Sequence, residues 1–120
     1  MRQAGVVAAA GLYALADESG HLLRLQEDHA LAAHLAERLE RAGYVLAHDV
    51  STNIIYFAPP AGHTMTVDQL PIAMKERGVL CSGGYGSAGN LIRVVVHRDV
   101  SQAQLEWAAS SFEHVLDLKN

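Results

Sequence analysis

The 120-residue sequence predicts an α+β layer in which about three antiparallel strands carry helices mainly on one face, preceded by an apolar helix. Three observations predict it. Two stretches repeat apolar residues at helical spacing, short β-branched runs lie between Pro and Gly punctuation, and the element order does not alternate strictly. That order is helix, helix, strand, helix, strand, strand, helix. No internal repeat or low-complexity tract interrupts it.

The first helix spans residues 5–16 (GVVAAAGLYALA) and has no polar face. A helix apolar all round needs cover on all sides. A domain of this length buries roughly two thirds of its unfolded surface, which is enough for one stripe of such a helix but hardly its circumference. The segment therefore predicts a neighbour, either a larger domain or a partner subunit. The alternative is an Ala-rich terminal helix packed on one side and wet on the other. Residues 1–20 are accordingly set apart as helix and linker, and residues 21–120 as a small α+β domain.

After a loop over residues 17–21, Leu31, Leu35, Leu39 and Ala42 form a stripe with Glu37, Arg38, Glu40 and Arg41 outward, an amphipathic helix closing at Gly43. Residues 53–58 (NIIYFA), stopped by Pro59 and Pro60, read as a strand. A helix over residues 69–77 has two candidate starts. Thr66 with Gln69 makes a capping box, with Met65 and Leu70 as staple, but leaves Pro71 where an amide is needed. Asp68 as cap places Pro71 among amides that have no helical partner anyway, and is preferred. Residues 79–81 and 91–96 read as a hairpin around the loop 83–89. The last helix is announced by the Ser101 and Gln104 box, the Val100 and Leu105 staple, and a stripe of Leu105, Ala108, Ala109, Phe112, Val115 and Leu116.

A net charge of −4 leaves no basic field for a nucleic-acid backbone. The longest apolar run, residues 6–16, is well short of the ~20 residues a bilayer span requires and lacks the flanks of a signal peptide. One cysteine, Cys81, permits no internal disulfide, in keeping with a reducing compartment, so the cytoplasm is the expected location.

Most of the chemistry-bearing residues favour structural roles. The stretch 82–89 (SGGYGSAG) is glycine-rich but lacks the Lys-Ser/Thr ending of a phosphate loop and runs into a strand, which favours a hairpin loop. Seven histidines show no metal pattern, since His29 and His34 lie five apart and face different ways on a helix. Cys81 ends an apolar strand with no base beside it, as a small buried hydrophobe would. No Ser, His and carboxylate grouping stands out.

Arg93 breaks its local pattern. It sits in residues 91–96 (LIRVVV), a strand otherwise apolar on both faces and so expected to be buried, where a guanidinium keeps its charge. Either it reaches water or pairs with one of the chain's acids, or its fork of donors is aimed at a carboxylate ligand.

Four stretches in order, residues 1–15 (MRQAGVVAAAGLYAL), 27–30 (EDHA), 52–55 (TNII) and 92–101 (IRVVVHRDVS), resemble successive landmarks of the threonine aldolase family. The first is the most specific. The resemblance spans nearly the whole chain and implies the aspartate-aminotransferase-like, fold-type-I architecture of pyridoxal phosphate enzymes. It implies that this chain is the small carboxyl-terminal domain plus one interface helix, with a large cofactor domain preceding it. It further implies cleavage of β-hydroxy-α-amino acids such as threonine to glycine and an aldehyde, in a homo-oligomer, dimer or tetramer. Arg93 matches the arginine that clamps the substrate carboxylate, and Arg2 one near the cofactor phosphate. Neither lysine, Lys75 nor Lys119, stands in a context resembling the Schiff-base site, and both are expected to be solvated. The ring-stacking residue, the acid facing the pyridine nitrogen and a second carboxylate-binding arginine are likewise expected upstream, so the isolated chain is expected to be inactive, with no cofactor bound covalently. Val96 stands where relatives often carry threonine, and Arg98 where leucine is common. Two alternatives stay open: a free-standing α+β interaction or regulatory domain, and a relative that has lost catalysis.

Overall fold

A computed structural model describes residues 2–117. Helix α1 (Ala4–Leu15) leads through a short 3-10 turn (Asp17–Ser19) into α2 (His21–Arg41), followed by β1 (Val45–Leu46), β2 (Ile54–Ala58), α3 (Gln69–Glu76), β3 (Ser82–Tyr85), β4 (Leu91–Val95) and α4 (Gln102–Asp117). The strands form one antiparallel sheet in the order β1-β2-β4-β3. The α+β layer is as expected, with four strands where about three were expected. The addition, β1, is two residues long and follows the end of α2 directly, too short to leave a periodic signal.

Local chemistry sets the helix ends. Past α2, Gly43 takes φ +98°, and the Tyr44 and Gly43 amides donate to the carbonyls of Leu39 and Glu40 at 3.0 and 2.9 Å. This closing motif needs a residue that tolerates left-handed backbone, and it buries Tyr44 against Leu39. The same bond pair closes α3 at Gly78. At the start of α3 Asp68 stands at the cap position, as preferred, but the side-chain capping bonds come from the Thr66 and Gln69 box. Asp68 makes no side-chain capping bond, whereas Thr66 Oγ1 accepts from the Gln69 amide at 3.2 Å and Gln69 Oε1 accepts from the Thr66 amide at 3.4 Å. Two satisfied amides outweigh the one carbonyl that Pro71 leaves without its helical donor. The box at α4 forms as expected, with the Ser101 amide donating to Gln104 Oε1 at 2.8 Å.

The core lies between one sheet face and the helices. Leu35 and Leu39 of α2, Ile55 and Phe57 of β2, Leu70 and Met74 of α3, Ile92 and Val94 of β4, and Leu105 and Phe112 of α4 are all buried. Tyr44, Phe57 and Phe112 meet edge to face with centroids 5.2–5.8 Å apart, and the Tyr44 hydroxyl donates to the Phe112 carbonyl at 3.0 Å. The opposite face carries Ile54, Tyr56, Leu91, Arg93 and Val95, all half-buried or exposed. The expectation that the β4 run is buried on both faces is thereby corrected, because helices cover one side only.

Helix α1 has no buried residue, and Val6, Leu12 and Tyr13 are 74%, 71% and 66% exposed. It meets α2 and the turn between them, with the Tyr13 ring edge-on to His21. In α2 burial begins only at Ala32. The described chain is consequently long, 54 × 31 × 26 Å with a radius of gyration of 17.0 Å, against about 14 Å for a compact chain of this length. Among the described residues no helix is long and apolar enough to cross a membrane.

Candidate carboxylate-binding site

Strand β4 delivers Arg93 to the middle of the open sheet face. Its register partners are Tyr56 on β2 and Ser82 on β3, so these three side chains form one row across the sheet. The guanidinium carbon lies 4.6 Å from the centre of the Tyr85 ring. Tyr85 in turn touches Ser82 through their hydroxyls at 3.3 Å and meets the Tyr56 ring edge-on at 5.7 Å. Arg93 makes no hydrogen bond or ion pair with any carboxylate among the described residues, and its Nε is buried without a partner. Of the roles open to it, pairing with an acid among the described residues is therefore not adopted, and the half-buried side chain is left to water or to an anion. A buried donor without an acceptor is uncommon in a folded protein; among the described residues Arg77 Nε and Ser111 Oγ share that state.

The arginine borders an open depression of about 260 Å³ shared with Leu80, Cys81, Ser82, Val95 and His97. Burial pushes the Cys81 thiol up to about 11, leaving it protonated and a poor nucleophile near neutrality. Residues 79–81 are not the strand expected; they connect Gly78 to β3, and the glycine-rich run itself forms the edge strand. Asn53 fixes the far end of β4, since its side-chain amide donates to the Val96 carbonyl at 2.6 Å while the Val96 amide donates to the Asn53 carbonyl at 2.9 Å. That pair gives the 52–55 stretch a structural task.

The structure does not bring Arg2 to Arg93. Arg2 is exposed just before α1, whose neighbours are the 3-10 turn and α2, and it pairs with none of the described residues. Lys75 is exposed in the last turn of α3, and Lys119 lies outside the described residues. His29 is exposed on α2, whereas His34 donates to Glu106 at 2.7 Å across the α2–α4 seam. Arg38 joins the same cluster, bonding Glu113 and Glu106 at 2.7 Å each. The Glu106 carboxyl is held below the usual carboxylate range, first by the His34 bond and then by that from Gln102.

Over residues 1–59 the chain matches the model of the family described as beta-eliminating lyase. It is 38% identical over 117 residues to the low specificity L-threonine aldolase of Escherichia coli K12, covering 97% of this chain. The chain is thus similar to the beta-eliminating lyase family over its first 59 residues and to the threonine aldolases over nearly its whole length. A low-specificity L-threonine aldolase of Arabidopsis thaliana is 32% identical over 118 residues. The chain spans 31% of the length of either relative. Among solved structures, a NifS-like protein superposes with a TM-score of 0.69 at 13% identity, and an aspartate aminotransferase of subgroup IV from Thermus thermophilus with 0.67 at 23%. Each likeness covers 82% of this chain and 30% of the other, and shows the fold, the fold-type-I unit that the sequence led us to expect.

The sequence singled out Arg93 but not its surroundings. Tyr85 and Ser82 were absorbed into a glycine-rich loop, and Tyr56 into an apolar strand. Pairing the hairpin residue by residue outward from Tyr85 and Leu91 would have put Gly83 beside Arg93; the register shift is what brings Ser82 there instead.

Proposed function

We propose that this chain is the small carboxyl-terminal domain of a pyridoxal-phosphate-dependent aldolase that cleaves β-hydroxy-α-amino acids of the threonine type to glycine and an aldehyde. In this proposal residues 1–20 are an interface helix and linker, residues 21–120 the small domain, and Arg93 binds the substrate carboxylate. The observation that carries it is the unpaired guanidinium of Arg93 on the uncovered sheet face. Arg2, which pairs with no acid among the described residues, is assigned to the cofactor phosphate, reached in a homo-oligomer together with a large upstream domain.

The described residues do not compose a cofactor site by themselves. Lys75 is solvent-facing on α3 and shares no depression with Arg93. What this chain contributes is a fixed cation, and its isolated form has no activity under this proposal. Clamping the carboxylate fixes the angle of the bond to be broken, so the arginine acts on rate through orientation.

The test is a hybrid in which residues 1–120 replace the matching third of the Escherichia coli relative. The hybrid is expected to cleave L-threonine. Arg93→Ala should raise KM about ten- to hundredfold, the worth of hydrogen bonds to a charged group, with cofactor absorbance retained. An unchanged KM would overturn the carboxylate role.

A further inference from the structure

An arginine reserved for an anion faces a difficulty: whatever holds it still must not consume its donors. A carboxylate neighbour would occupy the fork, and water alone would leave the side chain loose. An aromatic ring beneath the guanidinium plane solves this, because it attracts the charge through the face and leaves the in-plane N–H groups free.

Tyr85 occupies that place, and the backbone is shaped to put it there. Ser82 pairs with Arg93 but Tyr85 pairs with Leu91, so three steps on β3 match two on β4. The extra residue is a β-bulge, and Gly84 at φ +84° takes the left-handed conformation it requires. In a regular strand residues three apart point to opposite faces. Here the bulge turns both onto the open face, where their hydroxyls lie 3.3 Å apart. The turn is pinned from beneath, since a Cβ on Gly83 would stand 2.9 Å from the Val67 carbonyl oxygen. On the other side the Tyr56 ring braces Tyr85, and His48 braces Tyr56, each edge-on at 5.7 Å.

We propose that Tyr85 is a positioning residue for the carboxylate clamp: its bulge-directed ring holds the Arg93 guanidinium flat and ready while leaving every donor free. This rests on the carboxylate role of Arg93. In this role Tyr85 acts through the arginine.

The probe is sodium acetate, titrated at constant ionic strength into the ¹⁵N-labelled 120-residue chain and followed at the Ser82 and Tyr56 amides. Wild type should give saturable shifts that Arg93→Ala abolishes. Tyr85→Leu, which keeps bulk but removes the aromatic face, should weaken acetate about three- to fivefold and move the Arg93 Nε–H resonance by loss of the ring current. Tyr85→Phe should restore both. In the Arg93→Ala background Tyr85→Leu should change nothing more. If Tyr85→Leu binds like wild type while Arg93→Ala does not bind, the positioning role is overturned and the carboxylate role survives. If Tyr85→Phe is as weak as Tyr85→Leu, the ring face is not the cause and the proposal fails. If wild type shows no saturable shift, or Arg93→Ala no loss, the carboxylate role falls and takes this one with it.

Discussion

The two ends of helix α2 belong to different environments. From Ala32 onward Ala32, Leu35, Ala36 and Leu39 are sealed in the core, whereas before that point Leu22, Leu23 and Leu25 are 49%, 69% and 49% exposed and continue the bare surface of α1. The composition of the two regions differs little in apolar content, yet only one has a core. Hydrophobic stabilisation follows area removed from water, not hydrophobicity as such. In the described chain stability therefore resides in the sheet and the helices that cover it, and the exposed amino-terminal surface contributes little.

The sharpest way to break this contrast is to truncate one large apolar side chain in each region. Phe112→Ala, at the centre of the edge-to-face cluster, should cost about 3–5 kcal/mol, a large share of the 5–15 kcal/mol typical of a domain. Leu12→Ala should fall within about 0.5 kcal/mol. Urea denaturation followed by circular dichroism measures both. Comparable losses would mean that α1 is already covered, by a second copy.

Self-association sharpens the same point. The exposed α1 surface is expected to drive concentration-dependent association, and Val7→Lys with Leu12→Lys should abolish it without changing stability. Light scattering across concentrations checks this; a wild-type chain monomeric throughout would contradict it.

Smaller effects come from titration within the packed unit. The Glu106 carboxyl is depressed in the folded state, chiefly by His34, so its contribution to stability is present above the unfolded carboxylate pKa and is lost as pH falls through the folded value. Glu106→Gln should flatten the acid limb of the stability profile and leave the alkaline limb as it is. Cys81 has the opposite sign. Its folded thiol titrates near 11 against 9.0 when unperturbed, so the unfolded chain loses this proton first and stability declines across that window. Near neutrality the folded chain should react with a disulfide reagent far more slowly than the urea-unfolded chain. Equal rates would place Cys81 outside the covered region.

How much could be read in advance depended on whether the physical cause was local. The capping box of α4, its buried stripe and the closure of α2 at Gly43 each rest on residues within a few positions of one another. The site was legible at one residue, because a lone guanidinium in an apolar run conflicts with its neighbours. Its setting was not. Tyr85 reaches Arg93 only through a bulge, and whether β4 is buried on one face or two depends on how many layers cover the sheet, which no single strand encodes.

The sequence by itself determined the α+β class, the position of most helices and strands, the apolar character of α1 and the singularity of Arg93, since periodicity, capping and charge are properties of short stretches. Tertiary structure alone decided that a fourth strand forms, that Thr66 caps α3, that the sheet is covered on one side, and that Tyr85 lies beneath the arginine. Each of these depends on which distant surfaces meet, and that is settled by packing the whole chain.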